Sequence, residues 1–120
     1  MAQAPRPKAN PEKELRDTFR KAYRKFNSEL PGLRKKAGDD DAAHDQLDKM
    51  RLEFASTEWE FRRTELDTAT VGFEAMSREA AALGKTVAND VKTWKSVKAA
   101  SEAIGAFFGL LARVIVGFRI

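Results

Sequence analysis

Residues 73–118, FEAMSREAAALGKTVANDVKTWKSVKAASEAIGAFFGLLARVIVGF, place apolar side chains at steps that alternate between three and four. This spacing puts them on one face of an α-helix, in the heptad pattern of helices that pack side by side. Residues 43–61 show the same spacing, and the phase of the pattern shifts near Thr64. Together the two runs predict a long heptad-patterned helix over residues 42–101.

A helix of this length cannot bury its own apolar stripe. At 1.5 Å per residue it would extend for about 90 Å. The stripe must be covered either by a fold-back of the chain near Gly72 or Gly84, or by another copy of the chain. The sequence therefore predicts an all-α protein that is a helical hairpin or a coiled-coil oligomer. The residues predicted to carry self-association are Leu47, Met50, Phe54, Phe61, Phe73, Met76, Leu83 and Val87.

A shorter amphipathic helix precedes the long one, over residues 11–30. Asn10 is a favourable N-cap and Pro11 suits the first helical position. Pro31 predicts the end of this helix, because proline disfavours helical geometry in the residue before it. Residues 31–41 are then expected to form a connector, and the acidic run at its end is an N-cap signal for the long helix.

The C-terminal residues 102–120 are expected to form a separate apolar helix. Residues 103–118 carry a single charge, Arg113, yet they span only about 24 Å, less than the hydrocarbon core of a membrane. The segment is therefore expected to lie either at a membrane or in a buried protein interface. Small residues four apart, Gly105 and Gly109, predict close helix packing. The residues predicted to line the membrane or buried interface are Trp94, Ile104, Phe107, Phe108, Leu111, Ile115 and Phe118.

Charge alternates along the chain. Residues 1–38 carry 11 Lys/Arg against 4 Asp/Glu, residues 39–79 carry 5 against 12, and residues 80–120 carry 6 against 2. The basic and acidic segments either pack together and neutralise each other, or the basic ones bind an anionic partner such as lipid. The candidates for that contact are Arg16, Arg20, Arg24, Lys25, Lys92, Lys95 and Lys98.

The composition predicts neither an enzyme nor a cofactor-binding protein. The chain has no cysteine and a single histidine, His44, which excludes thiol chemistry and leaves only carboxylates for a metal. No catalytic or metal-ligating residues are predicted. Residues 1–10 are expected to be a flexible arm and lack the apolar run of a secretory signal. A cytoplasmic location, or the cytoplasmic face of a membrane, is expected.

Three functions fit these patterns. The first is a non-enzymatic, self-associating helical protein whose apolar C-terminal helix engages a membrane, which implies a homo-oligomer and a lipid partner. The second is a soluble structural subunit of a filament, virion or other large complex, with that helix buried between subunits or against a protein partner. The third is a nucleic-acid-binding module acting through the basic N-terminal helix. Nucleic acid is the least favoured partner, because the acidic segment would repel it.

Overall fold

The computed structural model describes residues 10–120, and over that range the chain is all-α, as predicted. Apart from Asn10, the predicted flexible arm lies outside the described residues. Four α-helices form an elongated bundle whose longest dimension is 64 Å. The elements, in chain order, are α1 (Pro11–Ala37), α2 (Asp41–Arg63), α3 (Phe73–Asp90), a turn of 3₁₀-helix (Val91–Thr93) and α4 (Val97–Phe118).

Helix α1 begins at Pro11, and the side chain of Asn10 accepts a hydrogen bond from the Lys13 amide. It does not end at Pro31, so the prediction of a helix over 11–30 and a connector over 31–41 is wrong. Tertiary contacts of the last two turns offset the cost of the proline. Leu33 is buried in the core, and the Arg34 guanidinium pairs with Asp48 of α2.

The single long helix predicted over residues 42–101 is also wrong. Helix α2 ends at Arg63, and residues 64–72 lead to α3, which begins after Gly72 in a left-handed conformation (φ 91°) that favours glycine. A second break, between Asp90 and Val97, separates α3 from α4. Of the two glycines named as break points, Gly72 stands at a break and Gly84 lies inside α3. Folding back is favoured because the chain's own helices then cover the apolar stripe.

Consecutive helices run antiparallel, and contacts along the bundle show which helices lie side by side. Helix α3 lies beside α1, where Lys85 pairs with Glu14 at 2.9 Å. Helix α4 lies beside α2, and Glu53 and Glu60 of α2 line the same groove as Phe108, Ile115 and Val116 of α4. The two hairpins, α1–α2 and α3–α4, therefore pack side by side, with α2 and α4 parallel to each other.

An aromatic cluster forms the centre of the core. The ring of Phe54 in α2 stacks on Tyr23 and Phe26 of α1, with centroids 5.1 Å apart in each pair. It also meets the edge of Phe108 in α4 at 4.9 Å. Phe19 contacts both Phe54 and Phe61 at 5.8 and 5.5 Å. Such pairs contribute about 0.5–1.5 kcal/mol each beyond their buried area, so this cluster joins α1, α2 and α4.

The C-terminus is fastened to the loop that joins α2 and α3. Leu66 and Arg119 form an isolated antiparallel β-bridge. The Asp67 amide donates to the Phe118 carbonyl at 2.6 Å, and the Ile120 amide donates to the Glu65 carbonyl at 3.0 Å. These bonds satisfy backbone groups beyond the end of α4 and hold that end against the rest of the bundle.

Gly84 allows α3 to approach both α1 and α4. A Cβ at this position would lie 2.7 Å from the Thr18 methyl group and 2.8 Å from the ring of Phe107. Both neighbours are themselves packed in the interior, with Thr18 6 % and Phe107 0 % exposed. The absence of a side chain at Gly84 therefore sets the distance between three helices.

We expect Gly84→Ala to lower the free energy of unfolding by about 1–3 kcal/mol, because the added methyl overpacks the core. Gly32→Ala is the matched control, since a Cβ at Gly32 meets nothing within 4 Å. It should raise stability by up to about 1 kcal/mol through helix propensity alone. Urea denaturation followed by circular dichroism measures both changes, and equal stability of the two variants would contradict the packing role of Gly84.

Candidate interaction surface

Helix α4 is apolar on both its buried and its exposed sides. Its length and composition would suit a membrane span, and 33 % of the residues in its most apolar stretch are buried in the bundle. Its exposed side includes a run of small or apolar residues. We call this set the α4 outer face: Gly105, Gly109, Ala112 and Val116. In water such a face is expected to be covered by another apolar surface.

A groove of about 480 Å³ separates this face from α2. Phe108 and Ile115 of α4 contribute apolar surface to it, and Ala112 and Val116 form its edge. Val116 is 70 % exposed. The groove therefore runs between two parallel helices, with apolar residues of α4 on one side and polar residues of α2 on the other.

The outward side of α2 carries two large exposed apolar residues that do not line this groove, and Trp59 lines a separate small pocket with Ala55, Glu58 and Arg62. Leu52 is 64 % exposed and Trp59 is 59 % exposed. They are seven residues apart, so they lie two turns apart on one side of the helix. The guanidinium of Arg63 lies 5.6 Å from the Trp59 ring centroid. Neither residue is among those predicted from the sequence for an interface, although each is an apolar residue outside the heptad stripe of α2, which is the signal that identifies them.

The two walls of the groove carry opposite charge. Glu53 and Glu60 line it on the α2 side, and Arg119 lines it on the α4 side. Arg113 is exposed on α4, one turn before Gly117 and one turn after Gly109. Within residues 10–120, none of these four charged side chains takes part in an ion pair. Their charges are therefore available to a partner.

The residues predicted for self-association lie inside one chain. Leu47, Phe54 and Phe73 are at most 1 % exposed, and Met50, Phe61 and Val87 are also buried. Met76 and Leu83 are partly buried against the same core. The chain's own helices cover the heptad stripe, so the stripe itself no longer requires a second copy.

The residues predicted for a membrane or buried interface divide into two groups. Most of them face the core of the bundle: Trp94, Ile104, Phe107, Leu111, Ile115 and Phe118. Trp94 is 7 % exposed and so does not present its ring at the surface. Phe108 lines the groove, and Gly105 and Gly109 lie on the exposed side, where a Cβ would meet nothing within 4 Å. The α4 outer face and the groove are therefore what remains accessible.

The basic residues predicted to contact an anionic partner do not form one patch. Lys95 and Lys98 line a cleft of about 540 Å³ at the opposite end of the bundle, together with Lys36 and Lys49. Lys92 is exposed and close to these lysines in the chain, but it does not line the cleft. Asp40 and Asp45 also line the cleft and offset part of the positive charge of its lysines. The remaining predicted residues lie along α1, where Arg20 and Arg24 are exposed and Lys25 is half-buried.

Arg16 has a structural role. Its guanidinium pairs with Glu12 at 2.8 Å and donates hydrogen bonds to the carbonyls of Phe61 and Thr64. It also lies over the Phe61 ring, 5.2 Å from the centroid. These contacts bind the start of α1 to the end of α2, where the last carbonyls of a helix lack partners within it.

Two carboxyl groups have a lowered pKa, and both belong to ion pairs between helices. A hydrogen bond and the positive charge of Lys85 lower the pKa of Glu14 below its ordinary value, and a hydrogen bond from Arg34 lowers that of Asp48. The stabilising contribution of such pairs is present above the ordinary carboxyl pKa and is lost as the pH falls through the lowered value. These pairs join α1 to α3 and to α2. No group of three acidic or histidine side chains suited to hold a metal occurs within residues 10–120.

We expect Arg16→Gln to lower the free energy of unfolding by about 1–3 kcal/mol, because the carbonyls of Phe61 and Thr64 lose a charged hydrogen-bond donor. Arg20→Gln removes an exposed arginine one turn further along α1 and serves as the control, with little expected change. Thermal denaturation at neutral pH compares the two. Equal melting temperatures would show that the contacts of Arg16 do not support the fold.

Comparison with known proteins gives no match to any protein-family model, curated protein or solved structure. A functional proposal for this chain therefore rests on its own residues. The features that bear on it are the α4 outer face, the groove beside it and the two oppositely charged walls.

Proposed function

We propose that this protein is a non-enzymatic structural subunit that self-associates through the α4 outer face, so that its C-terminal helix becomes buried between copies. One observation carries the proposal: the most apolar helix of the bundle keeps a run of small and apolar residues, Gly105, Gly109, Ala112 and Val116, on its exposed side, where Val116 is 70 % exposed. Apolar surface that a folded chain leaves exposed is a candidate site of association.

The glycines of α4 support helix-to-helix docking. Glycine in an exposed helical position costs about 1 kcal/mol relative to alanine. A Cβ at Gly105 or Gly109 would meet nothing within the chain, so packing inside the monomer does not account for either residue. Close approach of a second helix accounts for both, because glycine lets another backbone or a large side chain come near.

A second copy of the chain is the occupant we favour. Every copy presents the same surface, so one favourable contact is made twice in a symmetric dimer. The exposed Leu52 and Trp59 of α2 supply further large apolar side chains for contact between copies. Larger assemblies such as filaments would need a further contact elsewhere on the chain.

Membrane engagement through α4 is a second candidate, favoured by the length and composition of that helix. Full insertion would remove Ile104, Phe107 and Leu111 from the core and uncover Phe19 and Phe54. Burial of such a side chain is worth about 1.5–3 kcal/mol, and several of them together approach the total stability of a small domain, about 5–15 kcal/mol. The folded bundle therefore offers lipid only the α4 outer face, whose small residues would bury little area.

Nucleic-acid binding through α1 is a weaker alternative. Arg20 and Arg24 are exposed, but Arg16 is engaged with α2. Retention on heparin at low salt would test it directly, and retention that falls steeply with salt would favour it.

We expect Gly109→Leu to abolish self-association while leaving the monomer folded, because the added side chain occupies space that the second copy needs. Gly32→Leu is the control: it also places leucine at an exposed glycine of a helix with nothing within 4 Å, but on α1. Sedimentation velocity over a range of concentrations measures the association of both, and circular dichroism checks folding. The proposal fails if the wild-type chain is monomeric throughout, or if Gly109→Leu associates as wild type does.

Flotation with vesicles of anionic phospholipid separates the two main candidates. We expect the folded wild-type chain to stay in the aqueous fraction at physiological salt, since its core-facing residues are not available to lipid. The variant Lys92→Glu/Lys95→Glu/Lys98→Glu tests whether lysine charge contributes to lipid binding, and we expect the same fraction of it to float as of the wild-type chain. Wild-type chain that floats, with loss of flotation in the lysine variant, would favour the membrane candidate instead.

A further inference from the structure

The cleft of about 540 Å³ lies where the end of α1, the first half of α2 and the start of α4 meet. Four lysines line it: Lys36 of α1, Lys49 of α2, Lys95 just before α4 and Lys98 in the first turn of α4. They are distant in the chain, and the fold brings them together. No residue of the α4 outer face lines this cleft, so what it binds is independent of the proposed self-association.

The positive charge of the cleft is not neutralised by ion pairs. Asp40 and Asp45 also line it, which leaves four positive groups against two negative ones. Within residues 10–120, none of the four lysines forms an ion pair with a carboxyl group. The Asp40 side chain instead caps α2, where it accepts a hydrogen bond from the Ala43 amide. Positive groups that line one cleft repel each other and attract an anion into it.

The backbone around the cleft adds to this positive field. Helix α4 begins at Val97, which lines the cleft together with Ser96, its N-cap residue. The first turn of a helix carries partial positive charge, so it reinforces the lysines that surround it. The ammonium group of Lys36 donates a hydrogen bond to the Trp94 carbonyl and so joins the end of α1 to the segment before α4. Two walls of the cleft are therefore held together in the folded chain.

The groups that line the cleft indicate the class of ligand. A lysine ammonium group binds phosphate oxygens as a point charge with three donors. Lysines from three helices around one cleft suit a ligand with several phosphate groups, because each phosphate then meets its own ammonium group. Among the described residues that line the cleft none is aromatic, so the cleft offers no ring on which a nucleobase would stack.

We infer that this cleft binds a compact anion that carries two or three phosphate groups, with Lys49, Lys95 and Lys98 as its main contacts. Free polyphosphates and phosphorylated lipid headgroups share this chemistry. A free ion is the occupant we favour, because Asp40 and Asp45 are exposed at the same cleft and a flat anionic membrane surface would repel them.

Binding of tripolyphosphate to the full chain tests this inference. Isothermal titration calorimetry compares wild type with Lys49→Gln/Lys95→Gln/Lys98→Gln, in which all three positions are exposed. We expect the variant to bind at least about tenfold more weakly, because hydrogen bonds between charged groups contribute about that factor or more. Affinity of the wild type should also fall as salt is added, because salt screens exposed charges.

The matched control is Lys13→Gln/Lys21→Gln/Lys92→Gln. It removes the same total charge at three exposed positions that do not line the cleft. We expect it to bind tripolyphosphate as wild type does. Thermal denaturation gives a second readout: three helices build the cleft, so only the folded chain binds, and tripolyphosphate should raise the melting temperature of wild type and control but not of the cleft variant. Circular dichroism confirms that each chain is folded.

The outcomes decide both the site and the source of the phosphates. Wild type that does not bind tripolyphosphate at low salt overturns the inference. Equal weakening in the two variants also overturns it, because the attraction would then be to net charge and not to the cleft. Flotation with vesicles that contain a phosphorylated inositol lipid tests the source, and we expect wild type to stay in the aqueous fraction. Flotation that tripolyphosphate reverses and the cleft variant lacks would overturn the free ion and place the phosphates on lipid.

Discussion

The aromatic contacts around Phe54 hold this bundle together. Phe54 packs against rings from α1 and from α4, and Phe19 of α1 reaches Phe107 of α4 at 6.3 Å. Phe107 in turn occupies the space that Gly84 leaves open on α3. All four helices therefore meet at one point, and the spacing between them depends on large rings on three helices and a missing side chain on the fourth.

This central contact divides α4 into two functional sides. The side that carries Ile104, Phe107 and Leu111 is buried in the core, so it cannot contact lipid or a partner unless the helices of the bundle separate. The other side is free, and it is made of small residues that add little to the monomer. A helix with such a composition is most useful where another surface approaches closely, which is why we place self-association there rather than in the heptad stripe.

The two ends of the bundle differ in character. At one end, backbone hydrogen bonds join the loop after α2 to the C-terminus. Exposed apolar residues such as Val71 and Ile120 also lie at this end. At the other end, the start of α4 meets the turn between α1 and α2 beside a cleft lined by lysines. The long groove between α2 and α4 lies between these ends, where its walls of opposite charge are not paired within the described chain.

The sequence by itself determined that the protein is helical, and local chemistry placed several features correctly. Helix propensity and heptad spacing predicted an all-α fold, and the Asn10–Pro11 pair stands at the start of α1. The phase shift near Thr64 was visible in the sequence, and it lies where α2 ends. Only the tertiary structure decided that this shift was a chain reversal, that Pro31 lies within a helix, and that Leu52 and Trp59 of α2 remain exposed. Heptad spacing specifies which side of a helix is buried but not what buries it, because a helix of the same chain and a helix of another copy satisfy an apolar stripe equally well.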